Sequence, residues 1–182
     1  MSKNPWTLLD ATTVYENPWI RVEDHRVLNP SGHPGQYGKV CFKSRAIAVV
    51  PLDADGHTYL VGQYRYALDE YCWELPMGGA ALGEDPLSAA QRELREETGL
   101  EADEWQRIMR LHPSNSVTDE EGFVFIARNL RTGQASPEPT EKLKVARLPF
   151  AEAVERALDG RITDAISVAA LLHVALQRGT HR

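Results

Sequence analysis

Three carboxylates of one segment, Glu93, Glu96 and Glu97, stand at relative positions i, i+3 and i+4, the spacing that gathers side chains on one flank of a helix. Like charges so placed repel by roughly 0.2–0.5 kcal/mol per pair. A divalent cation removes that repulsion, and a fourth acid, Glu84, lies just ahead. No His or Cys is near in sequence, so the donor set is hard oxygen, which suits Mg²⁺ or Mn²⁺ rather than zinc. Such an ion keeps several waters and takes phosphate oxygens as further ligands, which points to a diphosphate substrate. A solvated helix whose acids pair with Arg92 and Arg95 has the same composition, and spacing alone does not separate the two readings.

The elements that must position these acids surround them. Asp85-Pro86 supplies an N-cap and a first-turn proline and Gly99 a C-terminal stop, predicting a helix over 86–98. At 100° per residue Leu87, Ala90, Leu94 and Thr98 fall within about 80° of arc, which makes that side the buried one. Trp73-Glu74-Leu75-Pro76 reads as a short strand and 77–83 as a freely turning loop. Earlier, Ala46–Val50 is an apolar run of buried-strand type, followed by the turn Asp53–Gly56 and a strand over Thr58–Tyr66. Later come a strand over Phe123–Ala127, a polar loop over Arg131–Glu141, a strand over Leu143–Leu148, and helices near Phe150–Asp159 and Asp164–Arg178. Upstream, Trp19–Leu28 and Lys39–Phe42, separated by Asn29-Pro30-Ser31-Gly32, predict short antiparallel strands. The pattern is that of a mixed α/β chain with helices packed on its sheets. It divides into an N-terminal strand element over 1–43 and a main domain over 44–182.

Composition narrows the partners. The chain has 182 residues, 20 Lys and Arg against 26 Asp and Glu, and a formal net charge of -6. That balance argues against general affinity for nucleic acids or anionic membranes. No apolar run approaches the ~20 residues of a membrane span, and no signal-peptide core is legible near the N-terminus. Cys41 and Cys72 make neither a metal knuckle nor a disulfide framework, which predicts a reducing, cytoplasmic setting.

Gly78, five residues, Glu84, seven residues, then Arg92-Glu93-Leu94-Arg95-Glu96-Glu97-Thr98-Gly99-Leu100 resembles the complete signature of the Nudix hydrolases, with no departure at a defining position. The resemblance implies an α/β/α sandwich with a mixed sheet, beside the small N-terminal antiparallel sheet. It implies that Glu93 and Glu97 coordinate Mg²⁺ or Mn²⁺, that Glu96 helps at the same site, and that the Met77 carbonyl is a further ligand. Arg92 and Glu84 are expected to orient the glutamates by charge-assisted hydrogen bonds. Arg92, Glu96 and a loop carboxylate would then form the catalytic group.

Gln63-Tyr64-Arg65 and Trp73-Glu74-Leu75-Pro76 are similar to the pattern that precedes the signature in ADP-ribose and nucleotide-sugar pyrophosphatases. That likeness implies a substrate contact for Arg65 and a place near the base or ribose for Glu74. It also implies homodimerisation through the N-terminal sheet. His112–Glu120 and Glu141–Val145 resemble two further segments of that subgroup, with departures: Pro113 falls about two positions early, and Pro139 stands where a catalytic glutamate is expected. Glu141 is therefore the first choice for the general base, followed by Glu138 and Glu120. The expected reaction is hydrolysis of a nucleoside diphosphate sugar (ADP-ribose, or a GDP- or UDP-sugar) to nucleoside monophosphate and sugar phosphate. The alternatives are dinucleoside polyphosphates, CoA or oxidised nucleotides as substrates, or a non-catalytic nucleotide-sugar binding module.

Overall fold

The structure, a computed structural model, describes residues 3–133 and 143–179. Its strands are β1 (Thr7–Glu16), β2 (Ile20–Leu28), β3 (Pro34–Phe42), β4 (Ser44–Pro51), β5 (His57–Arg65), β6 (Glu70–Glu74), β7 (Met77–Ala81), β8 (Leu100–Leu111), β9 (Gly122–Thr132) and β10 (Lys144–Pro149). The helices are α1 (Pro86–Thr98), α2 (Phe150–Leu158) and α3 (Ala165–Gly179). Among the described residues three sheets form, in the orders β1-β2-β3, β10-β5-β6 and β7-β4-β9-β8. The third is mixed, because β4 runs parallel to β9 and antiparallel to β7.

Alternation along β4 and β9 explains the layering. Successive strand side chains point to opposite faces, so Ile47 and Val49 join Phe123, Phe125 and Ala127 on one face. There Ala89, Ala90 and Leu94 of α1 cover them. Ala48 and Val50 join Val124 and Ile126 on the other, against Leu60 and Leu148 of the second sheet, Leu75 just after β6, and Phe150, Ala153, Ile166, Ala170 and Leu171 of α2 and α3. The helix anticipated over 86–98 occupies those residues. Asp85 accepts a hydrogen bond from the Ser88 amide at 2.9 Å, and Gly99 ends the helix in the left-handed conformation at φ 69°. Leu94 is fully buried, a burial that stabilises by roughly 1.5–3 kcal/mol.

Three expectations are corrected. Residues 77–81 are not a loop but the edge strand β7, paired with β4 from Ser44↔Ala81 to Ala48↔Met77. The strand expected over 73–76 ends at Glu74, where the chain turns into β7. Strands β1 and β8 were not anticipated, and both flank sheets at an edge. β1 is exposed along its whole length, so no burial pattern marks it. In β8 a register shift between Arg107 and Met109 breaks the alternation that would have revealed a strand.

Strand β3 continues into a junction with the main sheets. Tyr37 Oη donates to the Ser116 carbonyl, the Val40 amide to the Val117 carbonyl, and the Asp119 amide to the Val40 carbonyl. The loop over 112–121 is thus tied to the N-terminal sheet. No helix among the described residues is long and apolar enough to cross a membrane.

Candidate active site

The register of β7 decides where the α1 glutamates sit. Gly78 pairs with Ile47, and Ile47 faces α1, so the position a side chain would take at 78 faces α1 as well. A Cβ built there would overlap the Glu93 carboxylate. Glycine at 78 is therefore the cradle in which Glu93 rests. Glu97 accepts the Met77 amide at 2.9 Å. Both glutamates are buried, Glu93 at 8% and Glu97 at 4% relative exposure, an uncommon state for carboxylates that do not serve a bound cation or a tight pairing.

Arg92 stands between these acids. Its Nη1 reaches Glu93 at 2.7 Å and Glu96 at 3.1 Å, its Nε lies 3.5 Å from Glu84, and its Nη2 donates to the Gly79 carbonyl at 2.8 Å. Burial works against its charge, yet Glu93, Glu96 and Glu84 together hold the guanidinium above its ordinary pKa. Glu84 also accepts the Ala81 amide at 3.1 Å, which fixes the end of β7. Sequence spacing put the three α1 acids on one flank; the structure separates them by role. Glu93 and Glu97 turn inward against β7, while Glu96 lies half-exposed on Arg92.

The oxygen-only donor set and the cradle at Gly78 fit a hard divalent cation. Glu93, Glu96, Glu97 and the Met77 carbonyl are the groups available to hold one. Among the described residues no three acid, His or Cys side chains already surround a common point, and the Arg92 guanidinium supplies positive charge between Glu93 and Glu96.

Arg65 and Glu74, both expected at the substrate, meet each other. Arg65 Nη2 lies 2.5 Å from Glu74 Oε1, and Gln63 Nε2 donates to the same oxygen at 2.8 Å. Glu74 is 3% exposed. Burial pushes its carboxyl above the usual range, Arg65 and Gln63 oppose that, and Asp164 adds to it. Glu74 thereby orients the half-exposed Arg65 guanidinium. Replacing Arg65 by Met leaves the buried carboxylate without its cation. Its folded-state pKa then rises further above the unfolded value, so stability is lost as pH rises through that interval. The expected loss is about 1–3 kcal/mol at pH 7, with a much smaller one near pH 4. Denaturant unfolding at the two pH values measures it, and equal losses at both would refute the account.

Among the candidates for the base, Glu141 and Glu138 lie outside the described residues. Glu120 lies within them, half-buried on the loop before β9. Trp19 is 72% exposed and touches no described ring, and His173 pairs with Gln177 at 2.9 Å. Sequence reasoning missed the Gly79 carbonyl as an anchor of Arg92, Gln63 as a partner of Glu74, and the Lys39–Asp119 ion pair at 2.8 Å. The first two follow from pairing register and the third from long-range contact, none of which local spacing carries.

A mixed sheet clasped between α1 and the α2–α3 pair, with buried helix glutamates set against a glycine of the edge strand, is the architecture of a NUDIX domain. The chain belongs to that family: residues 42–171 match the NUDIX domain. Residues 6–40 match the nucleoside diphosphate sugar hydrolase N-terminal domain. The chain is similar to the ADP-ribose pyrophosphatase of Mycobacterium tuberculosis, with 38% identity over 132 residues, 71% of this chain and 64% of that one. It thus spans about two-thirds of that relative's length. It is also similar to the ADP-ribose pyrophosphatase of Bacillus subtilis, 29% identical over 134 residues and 72% of each chain. The solved structure of an ADP compounds hydrolase superposes with a TM-score of 0.88 at 24% identity, covering 100% of this chain and 98% of the other. That likeness concerns the fold.

Proposed function

We propose that this protein hydrolyses the diphosphate of a nucleoside diphosphate sugar, ADP-ribose or a GDP- or UDP-sugar, to nucleoside monophosphate and sugar phosphate, with Mg²⁺ or Mn²⁺. The observation that carries this reading is the buried Glu93–Glu97 pair seated against Gly78 and Met77, with Arg92 between Glu93 and Glu96. The relatives named as ADP-ribose pyrophosphatases support the substrate class.

Glu93 and Glu97, with Glu96 and the Met77 carbonyl, would hold the cation. Bound there, a divalent cation would supply charge neutralisation for the diphosphate and a lowered pKa for the attacking water. This is how an acidic chain takes a polyanion, since the local potential at the site is reversed. Arg92 keeps Glu93 and Glu96 in place through its hydrogen bonds and the Gly79 carbonyl. Arg65, steadied by Glu74, presents a guanidinium to the substrate. Glu141, at the end of the 131–141 segment, removes the proton of the attacking water.

A panel of ADP-ribose, GDP- and UDP-sugars, incubated with Mg²⁺ and assayed for phosphate after phosphatase coupling, tests the reading. Phosphate release with at least one sugar, abolished by EDTA, is expected. Hydrolysis confined to dinucleoside polyphosphates, CoA or oxidised nucleotides, or binding without turnover, overturns it. Glu141→Gln should depress turnover far more than affinity and alter the acidic limb of the rate profile. Normal turnover of that variant beside a crippled Glu138→Gln or Glu120→Gln reassigns the base.

The chain is further proposed to act as a homodimer joined through residues 1–43. Edge strand β1 exposes Leu8, Leu9, Val14 and Tyr15, apolar surface on an unpaired edge of the kind that association covers. Sedimentation should give twice the 20.3 kDa chain mass. A monomer at micromolar concentration with full activity excludes the dimer. Two free buried thiols, Cys41 and Cys72, fit the proposed cytoplasmic setting.

A further inference from the structure

The loop over 112–121 carries a carboxylate that differs from the acids around it. Glu121 is paired with Arg45 at 3.0 Å and with Arg110. Asp119 is paired with Lys39 at 2.8 Å and accepts the Phe42 amide at 2.8 Å. Between them Glu120 is half-buried, and among the described residues no hydrogen bond or ion pair reaches its carboxylate. Its backbone, by contrast, is held from both sides. The Glu120 carbonyl meets the His112 ring at 3.0 Å, its amide donates to Thr118 Oγ1 at 3.3 Å, and the Ala46 amide donates to the Glu121 carbonyl at 2.9 Å.

Register places this loop beside the site. Ala46 of β4 pairs with Gly79 on one side and Gly122 on the other, so Gly122 stands two strand spacings, about 10 Å, from the residue that anchors Arg92. Glu120 lies two residues before Gly122. It also lies within electrostatic reach of Asp164, which acts in turn on Glu74. Burial pushes the Glu120 carboxyl above its usual range, and Asp164 adds to it.

We propose that Asp119 is a positioning residue for the hydrolytic reaction, clamping the 112–121 loop to β3 so that the unpaired Glu120 carboxylate is presented to the substrate cleft. The clamp has three parts: the Asp119 carboxylate on Lys39 and on the Phe42 amide, the Asp119 amide on the Val40 carbonyl, and the Val40 amide on the Val117 carbonyl. All three of its anchors, Lys39, Val40 and Phe42, belong to β3 of the N-terminal sheet, which gives that sheet a role within its own chain. The inference rests on the proposed nucleotide-sugar hydrolysis and adds a residue to it.

The test is a double-mutant cycle on the full-length protein. Asp119→Ala should lower kcat on the preferred nucleotide sugar about 10-fold with KM changed less than about 2-fold, the size of effect a slightly misplaced group produces. Lys39→Met should lower it in the same sense. Asp119→Asn keeps an acceptor for the Phe42 amide and should lose less. If Asp119 acts through Glu120, its loss disappears in a Glu120→Gln background. Amide exchange at Val40, Phe42 and Asp119 should quicken in Asp119→Ala while α1 stays protected. A loss that adds in full to that of Glu120→Gln, or unchanged kcat with exchange unaffected, overturns the proposal. An inactive parent enzyme overturns the functional reading instead, and the exchange result still judges the clamp.

Discussion

Glu97→Gln should reduce Mg²⁺-dependent turnover on the order of 10²–10⁴-fold while leaving the fold intact, because the metal's stabilisation of developing charge is worth several kcal/mol. The substitution suits the geometry. Glutamine keeps the length of the side chain and an oxygen able to accept the Met77 amide, the contact that ties α1 to β7. What it removes is the charge of a carboxylate 4% exposed. The Met77 contact survives, so the melting temperature should move little beside the collapse of activity. A metal titration separates the causes: the apparent Mg²⁺ requirement should climb, and near-normal turnover at moderate Mg²⁺ would sink the assignment of Glu97 as a ligand. Arg92 pairs with Glu84, Glu93 and Glu96, and the variant leaves those three acids in place.

The chemistry of this site was legible because it is local. Helical spacing alone gathered Glu93, Glu96 and Glu97, and Asp85, Pro86 and Gly99 marked the ends of α1 by their own backbone preferences. The continuous apolar run Ala46–Val50 likewise marked β4, and Phe123–Ala127 marked part of β9, strands whose two faces serve two different cores. What stayed hidden depends on partners distant in sequence. Met77–Ala81 has the composition of a loop, and only pairing with β4 makes it a strand. The inward turn of Glu93 and Glu97 and the outward placing of Glu96 on Arg92 depend on where β7 lies relative to α1. Arg65 and Glu74 carried separate expectations from sequence, yet they sit on paired strands with Val61↔Glu74 and Arg65↔Glu70 in register, which puts them on one face, where the long Arg65 side chain reaches Glu74. Lys39 and Asp119, eighty positions apart, had no local signal at all.

Gly78→Ala offers the sharpest separation of site geometry from stability. Gly78 is not among the residues at positive φ, so backbone freedom is not the reason for a glycine here. In an extended strand alanine should even stabilise slightly, by about 0.4–1 kcal/mol through the unfolded chain. The obstacle is the Glu93 carboxylate, which a Cβ at 78 would overlap. Glu93 is buried and held by Arg92 at 2.7 Å, so it yields only by leaving its seat and dragging that contact with it. Overpacking of this kind costs roughly 1–3 kcal/mol, a penalty the backbone gain partly offsets, and the melting temperature should fall only modestly. Catalysis has no such offset, since a ligand displaced by about 1 Å costs on the order of 10²-fold. Gly79→Ala is the control: a Cβ there meets Ser44 at 3.5 Å, an ordinary contact, and leaves the Gly79 carbonyl free to hold Arg92. Turnover of Gly79→Ala should stay within about 2-fold of the parent, as expected of a substitution that moves no reacting group. Equal activity in the two variants would show that Glu93 does not need the cradle, and with that the placement of the cation between α1 and β7 would fall.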